Sequence, residues 1–253
     1  MEAMILAAGL GTRLRPITDH IPKALVDVAG RPALEHVARR LVEAGATRLI
    51  VNVHHHADQI EAFVHAKGGF GVETVISREP GDEPLETGGG LLRARTLFRT
   101  GRPFVLHNVD VISGLDLSAF YAAHLSERPL ATLAVRDRPT SRPLLFDDLG
   151  LYGWADRRPG REASRRVREP VGEPREYAFL GLHVIDPQIF DLLTESGRFS
   201  IVPAYLRLAE EGRTILPYEA GDNLWLEIGS PERLEEARRV LRSGHDRGVR
   251  GGT

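Results

Sequence analysis

Residues able to grip phosphate stand close together near the start of the chain. Gly9, Gly11, Thr12, Arg13 and Arg15 fall within the segment GLGTRLRP, and Lys23 follows ten residues after Arg13. Glycines leave backbone N–H groups open to close approach by phosphate oxygens, and a hydroxyl with several cations completes an anion-binding set. The pattern is not a Walker loop, because G-x-x-x-x-G-K-[ST] does not occur there. It is not G-x-G-x-x-G either, since Leu14 holds the third glycine position. Tight-turn glycines beside surface arginines are the alternative reading of the same residues. Lys23 has a second claim to notice. It and Lys67 are the two lysines in a chain whose other basic residues are all arginine, and a lysine is a compact point charge where arginine is a planar fork.

Three further segments carry chemistry. Asp110, in HNVDVIS, is a carboxylate just past an apolar run, and Mg²⁺ takes such hard oxygens together with phosphates. The alternative is an acidic helix cap, for which Asp116 is better placed. Glu227, in LWLEIGSPERL, offers a second carboxylate. Glu83–Gly90 reads EPLETGGG, and three glycines opening a helix imply unusual dihedrals or close backbone approach, with Thr87 as a helix cap the competing explanation. The triplet His54–His56 reads as a polar loop, because consecutive side chains do not converge on one ion.

These residues need a frame. Apolar runs and helical periodicities alternate: strands at 3–8, 49–53, 72–76, 103–107 and 130–135, and helices at 32–43, 58–65, 91–98 and 117–124. That rhythm predicts a Rossmann-like three-layer α/β/α fold with a mostly parallel mixed sheet. Ligands in such sheets gather at the carboxyl ends of the strands, which puts Gly9 and Asp110 on one rim. More than twenty residues separate the first strand from the helix near Pro32, against about 2–6 in an ordinary strand-to-helix connection, so this loop is expected to be functional. Beyond Pro139 the sequence predicts a hairpin at 144–154 turning at 148–150. An arginine-rich run at 156–176 follows, read as a solvated flap or as a lid over an anionic substrate. A strand at 177–185, helices at 187–193 and 203–211, a strand at 224–228 and a helix from Pro231 complete the pattern.

Composition narrows the class. The 253 residues are 42% hydrophobic and 27% charged, as in soluble globular proteins. A formal net charge of −2 provides no global field for nucleic acid or acidic membranes. Absence of cysteine excludes disulfides, thiolate metal sites and a cysteine nucleophile. No apolar run reaches the roughly 18 residues of a membrane span, and the N-terminus lacks the basic region of a secretion signal. The expectation is a cytoplasmic protein, a monomer or small homo-oligomer, with one domain over 1–242 and a frayed tail over 243–253.

The segment MILAAGLGTRLRPITDHIPKALVDVAGRP resembles the signature of sugar-1-phosphate nucleotidyltransferases, and EPLETGGG resembles most closely the small uridylyltransferases acting on N-acetylmuramate 1-phosphate. Asn108-Val109-Asp110 stands where that family has N-G-D, and Glu227 where it has aspartate. The resemblance implies that Leu6, Ala8, Gly9, Gly11, Thr12, Arg13 and Lys23 hold a nucleoside triphosphate, UTP being favoured. Glu83, Thr87, Gly88 and Asn108 would complete the nucleotide site, and Val109 and Gly181 would face the sugar 1-phosphate. Asp110 and Glu227 would hold Mg²⁺, and Arg13, Lys23 and Asp110 would carry catalysis. Mannose-1-phosphate guanylyl transfer, cytidylyl transfer and a nucleotide-sensing subunit without turnover are the alternatives. A Rossmann oxidoreductase is disfavoured by the missing third glycine, and the chain's length leaves no room for the acyltransferase domain of bifunctional relatives.

Overall fold

The computed structural model describes the backbone of residues 1–249 and the side chains of residues 1–243. In chain order it begins with β1 (Glu2–Leu6), β2 (Asp27–Val28), β3 (Arg31–Pro32), α1 (Ala33–Glu43), β4 (Arg48–Val53) and α2 (Ala57–Ala66). Next come β5 (Glu73–Arg78), α3 (Glu86–Arg93), β6 (Phe104–Asn108), β7 (Val111–Ser113), α4 (Leu117–Glu127) and β8 (Ala131–Arg136). The hairpin β9 (Leu144–Asp147) and β10 (Gly150–Asp156) leads to β11 (Ala163–Arg166) and the long β12 (Arg175–Ile185). The chain closes with α5 (Ile189–Leu192), α6 (Ile201–Glu210), β13 (Ile215–Glu219), β14 (Trp225–Glu227) and α7 (Pro231–Val249). Helix α7 runs past Ser243 to Val249, and of the tail expected to fray over 243–253 only 250–253 lie outside the described backbone.

The body of the sheet runs β5-β4-β1-β6-β12-β8-β13. β5, β4, β1 and β6 are mutually parallel, β12 is antiparallel to both β6 and β8, and β13 is parallel to β8. Six of these seven strands therefore point one way. β9, β10 and β11 extend the sheet by antiparallel pairing from the first half of β12. Alternation along the strands separates two cores. Ala3, Ile5, Leu49 and Val51 pack with α1, α2 and α4 through Leu34, Leu41, Ile60 and Phe120. Met4, Ile50, Phe104 and Leu106 pack on the other face with Leu91, Ile201, Tyr205 and Leu208 of α3 and α6. These are the three layers expected. A third cluster joins Leu14, Val26 and Val28 of the long loop to Ile112, Leu226, Leu234 and Ala237, so α7 clamps the loop on the sheet.

The sequence reading placed the third helix at 91–98; it begins at Glu86 and passes through all three glycines. Tertiary packing overrides their poor helix propensity. A Cβ on Gly88 would lie 2.3 Å from Phe199 Cε2, on Gly89 2.3 Å from the Gly197 carbonyl oxygen, and on Gly90 2.6 Å from Glu79 Oε1. The Gly89 clash is with rigid backbone. Gly89→Ala is expected to lower stability by about 1–3 kcal/mol or more, read as a fall in the urea midpoint. An unchanged midpoint would show that the 197–201 segment yields freely. Helix α1 starts at Ala33, with Pro32 just before it in β3 rather than at the first helical position. β13 escaped the sequence reading because Pro217 breaks its pattern, and an edge strand tolerates that proline. Strands β2, β3 and β7 are too short to show a period.

The hairpin turns where expected, and the arginine-rich run is tied down rather than free. Arg157 pairs with Glu176 and Arg165 with Glu210 at 2.6 and 2.8 Å, and Arg158 pairs with Asp156. Arg168 Nη2 donates to buried Asp147 Oδ1 at 2.7 Å, and Asp147 also accepts the N–H groups of Leu149 and Val171. The Arg168 hydrogen bond, opposed by burial and helped by those amides, holds the Asp147 carboxyl at about 2. A depressed folded-state pKa stabilises above the unfolded value of about 3.9 and ceases to do so as pH falls towards 2. The stability gap between wild type and Asp147→Asn is therefore expected to be full at pH 6 and to narrow between about pH 4 and 2. A gap independent of pH would contradict this.

Candidate active site

β1 delivers the chain to the carboxyl rim, where the Ala7 N–H donates to the Asn52 carbonyl at 3.0 Å. Gly11 then adopts a left-handed conformation, φ 65°, ahead of a single 3-10 turn, Thr12–Leu14. A Cβ there would meet Thr18 Cγ2 at 2.8 Å and Lys23 Cβ at 3.2 Å. Gly11 thus serves both the turn and the close approach of the Thr18 and Lys23 side chains, and Thr18 Oγ1 donates to its carbonyl at 2.8 Å. Lys23 opens the third such turn of the loop, after Ile17–Asp19, and donates from Nζ to Asp110 Oδ2 at 2.5 Å, with 11% of its side chain exposed. The other lysine, Lys67, pairs with Glu35 of α1 at 2.8 Å and lines neither of the cavities that meet at Asp110.

Asp110 stands two residues past the end of β6. Its partner carboxylate comes from more than a hundred residues away because β14 pairs with β7, setting Glu227 opposite Val111. The Ile228 N–H then donates to the Asp110 carbonyl at 2.9 Å. Glu227 lies 3.7 Å from Arg13 Nη2 and is also paired with Arg233. Behind Asp110, burial pushes His107 down to about 4, against the raising effects of its bond to the Asn108 carbonyl and of the Asp110 charge, so it is neutral at pH 7. Asp110, in the turn between β6 and β7, and Glu227, in β14, each face side-chain cations and offer the hard-oxygen donors a Mg²⁺ ion takes. Among the described residues no third acidic or histidine side chain joins them, so remaining ligands would be phosphate oxygens or water.

Two cavities meet at Asn108 and Asp110. The first, about 320 Å³, is lined by Leu6, Ala8, Gly9, Lys23, Asn52, Pro84, Glu86, Thr87, Asn108, Val109, Asp110 and Ser200. A Cβ at Gly9 would meet nothing within 4 Å, so packing alone does not demand that glycine. The second, about 670 Å³, includes Arg13, Asp110, Arg138, Arg142, Trp154, Phe179, Gly181, Trp225, Glu227 and Arg233. Gly181, φ 81°, has no room for a Cβ, which would sit 2.8 Å from Asn108 Nδ2.

Most of the expected residues converge on these two spaces, with some displaced. Val109, expected at the sugar, lines the first cavity instead. Gly11, Thr12, Glu83 and Gly88 line neither. Glu83 pairs with Arg198 at 2.5 Å, and the Gly88 N–H donates to the Phe199 carbonyl at 3.0 Å. Thr87 caps a helix other than its own: its Oγ1 accepts the N–H of Ile201 at 2.9 Å at the start of α6. Asp116 is the cap of α4, accepting from Ser118 and Ala119 at 3.0 Å. Sequence reasoning missed Asn52, Glu86, Ser200, Arg138 and Trp225. Asn52 stands at the carboxyl end of β4 beside β1, where the rim rule could have found it. It donates to buried Glu79 at 2.9 Å, and Glu79 accepts the Leu85 N–H at 2.6 Å, bracing the loop that carries Glu86. The arginines in the second cavity are Arg13, Arg138, Arg142 and Arg233, none of them from the 156–176 run.

The glycine-bearing loop after β1 brings Arg13 and Lys23 against Glu227 and Asp110, and comparison with known proteins gives the class to which such a chain belongs. The nucleotidyl transferase family model matches residues 2–244, and the chain belongs to that family. It is 38% identical over 237 residues to the N-acetylmuramate alpha-1-phosphate uridylyltransferase of Caulobacter vibrioides, covering 91% of this chain and 92% of that one. The enzyme of the same name from Neisseria meningitidis serogroup B is 34% identical, with 94% and 96% covered. These relatives place the chain among the sugar-1-phosphate nucleotidyltransferases. In fold it is similar to the UTP-bound UGPase of Acinetobacter baumannii, with TM-score 0.74 at 22% identity over 95% of this chain and 92% of that one. No described helix is long and apolar enough to cross a membrane.

Proposed function

We propose that this chain transfers the uridylyl group of UTP to N-acetylmuramate 1-phosphate, giving the UDP-sugar and pyrophosphate, in the cytoplasm and with Mg²⁺. The observation that carries the reading is the Lys23–Asp110 pair at 2.5 Å, where a cavity edged by the glycine loop opens into a larger one rich in arginine. The likeness to the two muramate enzymes supports the choice of substrates.

The sugar phosphate is already anionic, so its oxygen attacks the α-phosphorus without a general base while the bond to pyrophosphate breaks on the opposite side. The work left to the protein is alignment and charge neutralisation. Arg13 and the amides around Gly9 hold the departing pyrophosphate. Lys23, nearly buried, stays with the α-phosphoryl oxygens as charge develops there, its ammonium moving from Asp110 to phosphate. Asn108 stands at the junction of the two cavities and orients both reactants. Asp110 and Glu227 would hold Mg²⁺, which would supply positive charge to neutralise the phosphates.

The test is pyrophosphate release over a grid of the four nucleoside triphosphates against N-acetylmuramate, mannose, glucose and N-acetylglucosamine 1-phosphates. Turnover is expected to be greatest for UTP with N-acetylmuramate 1-phosphate. A maximum at GTP with mannose 1-phosphate would move the chain to guanylyl transfer. Nucleotide-dependent thermal stabilisation with no turnover anywhere would leave a sensor.

A further inference from the structure

The second cavity holds more positive charge than phosphate chemistry uses. Glu227 is matched by Arg13 and Arg233, and Asp110 by Lys23. Arg138 has no such partner among the described residues. Its Nε is buried and unbonded, and its Nη1 reaches only the Pro139 carbonyl at 3.4 Å. The guanidinium lies 4.6 Å from the centroid of Trp225, whose Nε1–H is fixed by the Leu180 carbonyl at 3.1 Å. A guanidinium stacked on an anchored ring has its plane set and its donor edge free. Burial, with Arg233 and Arg136 nearby, lowers its pKa, as for a cation lacking its counter-ion. Leaving a half-buried guanidinium unpaired is costly unless a ligand completes it.

We propose that Arg138 binds the carboxylate of an acidic sugar phosphate, a group distant from the reacting phosphate, and thereby selects that substrate over neutral sugar phosphates. This rests on the muramate reading above, since a muramyl sugar carries a lactyl carboxylate that neutral hexosamines lack. The planar fork suits a carboxylate bidentately, where a lysine would offer one point of contact. Trp154, Phe179 and Leu206, in the same cavity, supply apolar surface for the ring and its acetamido methyl.

The deciding experiment is a cycle with two enzymes and two substrates. Wild type and Arg138→Gln are each assayed for kcat/KM with UTP and either N-acetylmuramate 1-phosphate or its lactyl methyl ester, which removes the charge and little else. Wild type is expected to prefer the acid by about 30-fold, and Arg138→Gln to treat the two alike, the range for one charge-assisted hydrogen-bonded pair. Arg138→Lys is expected to restore only part of the preference, and it guards against a folding defect in the glutamine variant. Equal proportional losses on acid and ester would make Arg138 a phosphate or structural residue and overturn the inference while leaving the muramate reading intact. A wild type that uses neutral sugar phosphates and neither muramyl compound would overturn both.

Discussion

Asp110→Asn is expected to lower pyrophosphate release by about 10³-fold or more, with KM for either substrate changed far less. The carboxylate is the point at which the two cavities meet, and it faces Lys23 at 2.5 Å. Asparagine keeps the shape and one oxygen but removes the charge that would hold a divalent ion between the reactants. Electrostatic groups aimed at a phosphoryl transition state each account for roughly 10²–10⁵ in rate, so the loss falls in kcat. The melting temperature is expected to move by no more than about 2–4 °C, the shift for about 1 kcal/mol in a chain of this size. Near-normal turnover at unchanged stability would remove Asp110 from the chemistry.

Lys23→Ala is expected to lower kcat by about 10²–10³-fold, and Lys23→Arg to recover less than about a tenth of it. The second half of this prediction is the more pointed. Everywhere else except position 67 this chain uses arginine for positive charge. At position 23 the base of the side chain lies close to Gly11, with 3.2 Å between the Lys23 Cβ and a Cβ built on that glycine, and the side chain is nearly buried. A guanidinium is wider and planar, and it cannot swing as one point from carboxylate to phosphate. Full activity in Lys23→Arg would show that any cation suffices. The kcat/KM ratio across the pair of variants reads this directly.

The legibility of the site followed sequence distance. Gly9 to Lys23 form one continuous segment whose residue types speak for themselves, and Asp110 ends an apolar strand, so both could be placed on the rim in advance. The three layers were legible because Ala3, Ile5 and Met4, Phe104 alternate between two cores. The triple glycine was legible as a special place but not in its role. Gly88 and Gly89 exist to let Phe199 and Gly197 come close, a contact made across more than a hundred residues. Arg138, Trp225 and Ser200 enter the cavities only because β12 runs antiparallel through the sheet and β14 returns to β7. No local pattern announces such pairings. The arginine run at 156–176 reads in sequence as a solvated flap or a lid, and four of its seven arginines are paired with Glu176, Asp156, Glu210 and Asp147.

One measurement addresses the centre of this account: crystals soaked with UTP and Mn²⁺, with the metal located by its anomalous scattering. The account predicts the manganese between the carboxylates of Asp110 and Glu227, with the β- and γ-phosphates along Gly9–Arg13 and Lys23 drawn from Asp110 toward the α-phosphate. A nucleotide bound away from that loop, or a metal held without Asp110, would contradict it.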